Sequence, residues 1–371
     1  MVLLAAAGLA IRTVHNLTAI DVGFDPDHLL LFRVDAGSGQ RDDTPRAAVY
    51  EDVAAAIDAL PGVRSTTFSA VPLLARTQWS ETVQADGGTP TEVYFQSVRW
   101  NFVETFGIRV LSGRSLSRGD HARAAPVAMI NESMAGQVFG NPRAVGRHFQ
   151  VLTGPRRQAR VEVVGIVSDT KYSSLEEEAP PIFYLPAAQL PPAAMTFAVR
   201  TAVEPLALVP SVREVVKRTA PGVAVLNVKT QDQQIADTIA RPRALAAATT
   251  VFGAVALLLA CIGIYGVVSH AVTQRTREFG IRMALGARTG DLVRLVLAQV
   301  LVVAATGGAL GVVLAINGMK VISRLLFAVS PGDPLTLAAA FVALIAAAAA
   351  AAVGPAQRTA RLSMMDALRH D

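Results

Sequence analysis

The chain has 371 residues, 52% of them apolar and 17% charged, with a mean hydropathy of +0.40. That balance excludes a disordered polymer and points to membrane-embedded segments. The net charge of +5 is carried largely by arginine, part of which flanks apolar runs, so no basic patch needs nucleic acid as its explanation; the single cysteine, Cys261, excludes an intrachain disulfide framework.

At the N-terminus, Val2 to Ile11 is apolar. At about 1.5 Å per residue it covers about half of a ~30 Å hydrocarbon core. It lacks the basic residues that precede a signal peptide's apolar core, and no small-x-small cleavage site stands before Arg12. Residues 1–11 are therefore expected to be the outer end of a transmembrane helix that begins outside this chain. A short uncleaved signal-like segment is the alternative.

Residues 12–243 read as one water-soluble domain in which strand-like and helical runs alternate, with Pro and Gly breaks between them. His28 to Asp35 suits a strand, Pro45 to Leu60 an amphipathic helix, and Val63 to Ala70 a second strand entered through Pro61-Gly62. Met195 to Thr201, Pro205 to Thr219 and Val223 to Lys229 repeat the order, again entered through Pro-Gly, at Pro221-Gly222. Two such βαβ units can pair in one ferredoxin-like sheet. Residues 72–193 would then be an inserted, mostly β subdomain, with strands at Val127 to Ile130 and Val161 to Val167.

Three apolar runs follow, residues 244–268, 292–316 and 335–353, each long enough to span a bilayer as a helix. The third is alanine-rich and also suits a buried soluble helix; its place after two stronger spans favours the membrane. Arg275, Arg277, Arg282 and Arg288 lie between the first two runs, and Arg358, Arg361 and Arg369 follow the third; the intervening loop holds only Lys320 and Arg324. The positive-inside tendency puts the first two sets in the cytosol and the 12–243 domain outside. Arg294 and Gln299 enter the second run near its cytoplasmic end and make no polar track through it. Gly307 and Gly311 form a small-x-x-x-small pair suited to close helix packing, and Gly263 with Gly266 thins the first run.

Between the first two runs, Glu278 and Arg282 are spaced i, i+4 with the acid first, which favours a short helix. Phe279 and Met283 share a neighbouring face, and Gly280 and Gly286 permit close backbone approach. On composition alone, a topology-fixing linker and a docking element are equally good readings of this segment. No phosphate loop is present, not even a Gly-Lys pair, so ATP chemistry of that type and its cofactor are not expected here. His15, His28, His121, His148, His270 and His370 are scattered without metal-ligand spacing, and Glu176-Glu177-Glu178 beside Pro180-Pro181 reads as a solvated loop.

Residues Arg277 to Ala287, their flanking spans, and the ending Ser363-Met364-Met365-Asp366-Ala367-Leu368-Arg369-His370-Asp371 resemble the FtsX-like permeases of the MacB type of ABC transporter. Gly23-Phe24-Asp25-Pro26, Val127 to Glu132, Val163 to Asp169 and Ile182 to Pro186 resemble the periplasmic core domain of the same proteins. The resemblance implies an α-helical FtsX-like membrane domain, residues 244–371, plus an α+β periplasmic domain in the bacterial inner membrane. It implies that Arg277, Glu278, Gly280, Arg282, Gly286 and Ala287 form a coupling helix against a separate cytosolic ABC ATPase, and that the chain pairs with a second permease unit or as a homodimer. Such a chain is one unit of an orphan-type permease, non-enzymatic itself, relaying motion to its periplasmic domain for export. A non-transporting regulator acting on a cell-wall hydrolase is the alternative.

Overall fold

The computed structural model describes residues 1–37, 46–141, 143–154, 157–275, 278–279, 281–282, 285, 287–322 and 333–366. The chain divides into a helical unit, Met1–Ala19 with Ile239–Asp371, and a β domain, Ile20–Thr238.

In the β domain, β1 (Leu29–Asp35), β2 (Val63–Ser69), β10 (Ala194–Thr201) and β11 (Val225–Thr230) lie in the order β11-β1-β10-β2, each antiparallel to its neighbour. With α2 (Arg46–Asp58) and α5 (Val209–Thr219) as crossovers, this is the ferredoxin-like arrangement expected from the two repeated units. Period-two alternation sends Leu30, Phe32 and Val34 of β1 and Met195, Phe197 and Val199 of β10 to one face. There they meet Tyr50, Val53 and Ile57 of α2 and Val212 and Val216 of α5. Phe32 stacks on Phe197 at 5.4 Å, and the Tyr50 hydroxyl donates to the Ala193 carbonyl at 2.5 Å.

The insertion between β2 and β10 is a closed barrel. Strands β3 (Ser80–Ala85), β4 (Thr91–Val98), β6 (Val127–Asn131), β7 (His148–Val151), β8 (Arg160–Val167) and β9 (Ile182–Pro186) follow the ring β4-β3-β7-β8-β6-β9. The parallel pairing of β9 with β4, Tyr94↔Ile182 to Val98↔Pro186, closes it. Alternate residues fill the inside: Val83, Phe95, Phe149, Val163, Ile130 and Phe183 come one from each strand. The helix α4 (Glu132–Phe139) adds Met134, Val138 and Phe139 to the same core. A short helix, α3 (Phe102–Phe106), and β5 (Val110–Gly113), paired to β8, complete this part. The barrel joins the ferredoxin-like sheet through one pairing of β2 with β4, Ser69↔Val98. Beside it Arg99, 2% exposed, reaches Glu51 and Asp58 of α2, both at 3.0 Å. The last helix of the domain, α6 (Gln231–Thr238), packs on β1 and β11.

In the helical unit, α1 (Val2–Thr18) is longer than the apolar run Met1–Ile11 that announced it. Ala5, Leu9, Thr13 and Leu17, spaced by four, keep one buried face beyond Ile11, and Arg12 is satisfied by an acid, Asp333. The helices α7 (Ala240–Gln274), α8 (Thr289–Ile322) and α9 (Pro334–Asp366) each begin before and end after the apolar runs at 244–268, 292–316 and 335–353. All three are long and apolar enough to cross a membrane. The third packs against both α7 and α8, and α1 packs against α7. Leu258, Leu259 and Ile262 of α7 and Val303 and Leu310 of α8 remain more than 60% exposed, the inverse of a water-soluble surface.

Candidate functional site

The turn between α7 and α8 was singled out by its charges, and three of its expected contact residues, Arg277, Gly280 and Gly286, lie outside the described residues. Arg282 donates to the Glu278 carboxylate at 2.6 Å, the i, i+4 pair read from the spacing. Both side chains are nearly half exposed, so the pair orients the turn more than it stabilises the fold. The backbone N–H of Ala287 donates to the Arg282 carbonyl at 3.0 Å, and that of Arg288 to Asp291 at 3.1 Å, which starts α8.

Phe279 is 4% exposed. Its ring enters a cluster with Val268 and Val272 of α7, Leu292 and Val296 of α8 and Ala352 of α9, so one aromatic side chain roots the turn in all three helices. The sequence grouped it with Met283 on a surface-lying face; the structure turns it inward, and Met283 lies outside the described residues. Beside the exposed Glu278–Arg282 pair, two apolar residues also face outward. Ile281 is 56% and Leu285 83% exposed, and the Leu285 N–H donates to the Ile281 carbonyl at 3.1 Å. They stand one helical turn apart on one face.

Of the packing glycines, Gly311 is the close one: a Cβ there would lie 2.5 Å from the Met1 Cβ. Gly307 has no heavy atom within 4 Å on that test, and its neighbour Gly308 instead meets Phe341 of α9 at 2.6 Å. The i, i+4 spacing of Gly307 and Gly311 does not single out Gly308, because the partner ring comes from another direction. Gly263 lines an apolar groove of about 490 Å³ between α7 and α8, to which Gln299 also contributes.

The β domain connects to the helical unit through two stalks, residues 20–28 after α1 and α6 before α7. One loop braces both. Lys171 N–H donates to Val22 O at 2.9 Å in the first stalk. The next residue, Tyr172, accepts Leu74 N–H at 2.7 Å, and Ser173 accepts Arg76 N–H at 3.0 Å. Leu74 O in turn accepts the Gln234 amide at 2.6 Å and the Thr238 hydroxyl at 3.1 Å, both from α6. Burial pushes the Tyr172 phenol well above its usual range, so it stays neutral. The acidic run beside this loop is not merely solvated: Glu177 accepts from the backbone N–H groups of Ser173 at 2.9 Å and Ser174 at 3.0 Å, and Glu176 lies 3.7 Å from Arg76. Sequence reasoning missed Leu74, Tyr172 and Gln234, because backbone acceptors leave no residue-type signature.

The profile described as MacB-like periplasmic core domain matches residues 15–239, and that of the FtsX-like permease C-terminal matches residues 250–364. The chain belongs to the MacB-like, FtsX-like permease family.

Curated relatives of this permease include the macrolide export ATP-binding/permease protein MacB of Azoarcus sp. (strain BH72), 28% identical over 80% of this chain and 44% of that protein. They also include the pyoverdine export ATP-binding/permease protein PvdT of Pseudomonas aeruginosa, 25% identical over 87% of this chain and 48% of that one. The permease therefore spans less than half the length of these relatives. Among solved structures, the periplasmic region of MacB from Actinobacillus actinomycetemcomitans aligns at 14% identity with a TM-score of 0.40, covering 60% of this chain and 97% of that one.

The segments that carried the resemblance in the β domain converge in space. Asn131, wholly buried, donates to Asp169 at 2.6 Å and to Pro180 O at 2.8 Å, and accepts from Met134 N–H and Ile182 N–H, both at 3.0 Å. Ser133 adds its hydroxyl to Asp169 at 2.8 Å. Gly23, at φ +78°, passes so close that a Cβ would lie 2.4 Å from the Asp169 carbonyl oxygen. Asp25 then pairs with Arg200 of β10 at 2.9 Å. In this permease the familiar motifs are therefore the fastening of the first stalk.

Proposed function

We propose that this chain is the permease unit of an export-type ABC transporter that couples a separate cytosolic ATPase to motion of the β domain on the far side of the inner membrane. One observation carries the reading: the α7–α8 turn is rooted by Phe279 in all three long helices while it offers Ile281 and Leu285 outward. A push on that face is delivered to α7, α8 and α9 together. The braced stalks support the second half of the relay, since movement of α1 or α7 reaches one loop, residues 171–173. Pairing with a second permease unit belongs to the same reading, supported by the apolar groove between α7 and α8.

Co-purification with a MacB-type ATP-binding subunit, and stimulation of its ATPase, test the coupling. Replacing Ile281 and Leu285 by Asp is expected to abolish both while the permease remains folded. Full stimulation by that variant would sink the docking assignment.

A further inference from the structure

We propose that the groove between α7 and α8 holds an anionic phospholipid of the cytoplasmic leaflet, with one acyl chain along the groove and the phosphate at Arg275. It requires of the coupling mechanism only that the α7–α8 turn faces the cytosol.

The groove follows from how the long helices pack. Both α7 and α8 lie along α9 but touch each other far less, meeting around Phe279. The space left between them has a volume of about 490 Å³, within the range of small-ligand sites. Ile264 and Val267 of α7 and Val300 and Val303 of α8 make its walls apolar. A Cβ built on Gly263, which also lines it, would meet no heavy atom within 4 Å, so this wall is open.

Polarity changes in order along the groove. Arg275 stands at the C-terminal end of α7, where the turn begins. Gln299 lies ten residues after Thr289, the first residue of α8, and so about 15 Å into that helix. Val272 of α7 clusters with Val296 of α8, which sets Gln299 deeper than Arg275. From there to Ala260 and Ala304 the lining is apolar. Charge, amide and hydrocarbon succeed one another as phosphate, glycerol ester and acyl chain do in a phospholipid.

Both polar side chains are exposed, and among the described residues neither has a hydrogen-bond or ion-pair partner. The Arg275 guanidinium suits a phosphate, and the Gln299 amide can donate to an ester carbonyl. Next to hydrocarbon, an amide left without a partner is costly. A second copy closing over the groove by two-fold pairing would carry its own Arg275 to the seam and add positive charge there. An anionic headgroup offsets that charge, so the lipid fits with or without pairing. Phe279 lines the groove as well, so the acyl chain packs near the ring that roots the turn, and occupancy would be felt at Ile281 and Leu285.

The full chain is reconstituted in nanodiscs whose phosphatidylglycerol carries a diazirine on one acyl chain, and the photolabelled peptides are mapped by mass spectrometry. Label is expected to concentrate on residues 260–268 and 296–304. Unlabelled phosphatidylglycerol should compete about fivefold better than phosphatidylcholine, and Arg275→Gln should reduce labelling about fivefold, the effect of one arginine at a membrane surface. Gly263→Phe sends a ring into the open space and should displace the label with Arg275 intact. Labelling spread evenly over the exposed faces of α7 and α8, or equal labelling of the parent and both variants, would overturn the site. So would groove residues that cross-link to a second copy in place of lipid. The probe occupies both leaflets and no ATPase is present, so such a failure leaves the proposed coupling standing.

Discussion

Arg12 Nη1 lies 2.5 Å from Asp333 Oδ2 and ties the later turns of α1 to the residue that opens α9. The same carboxylate accepts the Thr336 backbone N–H at 3.0 Å and the Thr336 hydroxyl, so it also caps α9. These Thr336 bonds, with Arg12 adding to them, hold the Asp333 carboxyl below the usual range. A depressed carboxylate contributes stability that is present above its unfolded value, about 3.9, and is lost as pH falls through the folded one. Asp333→Ala is expected to lower the melting temperature of the purified chain more than Asp333→Asn, because Asn still caps. Equal losses would show that capping contributes nothing.

Phe279→Ala should cost about 3–5 kcal/mol, the range for deleting a buried aromatic ring, and should loosen the α7–α8 turn. Ile281→Ser, on the exposed side of the same turn, should stay within about 0.5 kcal/mol of the parent. Thermal denaturation of both variants side by side checks the inward and outward assignment.

Asp120 tests the β domain in acid. Burial pushes its carboxyl up, but two bonds from Arg114, at 2.8 and 2.9 Å, together with bonds from Ser117 outweigh this and leave it below its ordinary value. Its contribution is therefore complete above about pH 3.9 and disappears as the pH drops further. Asp120→Asn should reduce stability at neutral pH and flatten the acid limb of the stability curve, as measured by denaturant melts at several pH values.

Asp169→Ala should take one acceptor from the buried Asn131 amide, which keeps Pro180 O, and leave the Ser133 hydroxyl with the Ala179 carbonyl alone, at a cost of about 1–3 kcal/mol. Gly23→Ala should loosen the same place from the other side, because both its φ of +78° and the 2.4 Å approach to Asp169 O oppose a side chain. Limited proteolysis should then cut within residues 20–28 faster than in the parent. An unchanged cleavage rate in both variants would mean that the stalk is held by other contacts.

The ferredoxin-like half was legible because Pro61-Gly62 and Pro221-Gly222 mark equivalent entries to strands, and because large apolar residues recur at every second position in Met195, Phe197 and Val199 of β10. The barrel was legible only as β content. Its closure depends on the parallel pairing of β4 with β9, whose strands are far apart in the chain, and nothing local encodes that partner. At the α7–α8 turn the Glu278–Arg282 pair followed directly from spacing. The inward direction of Phe279 did not, because it is set by where α9 brings Ala352. Likewise, Gly308 shows its role only once Phe341 arrives from another helix.

The ring of strands β4-β3-β7-β8-β6-β9 leaves none of its six members with an open edge, and it meets the rest of the sheet at Ser69↔Val98. An open insertion of this size would add unpaired strand edges that could seed aggregation. A closed one behaves as a self-contained cassette. Its outward surface is free to diversify, or to be exchanged for another of similar footing, while the stalk-bearing sheet keeps its register.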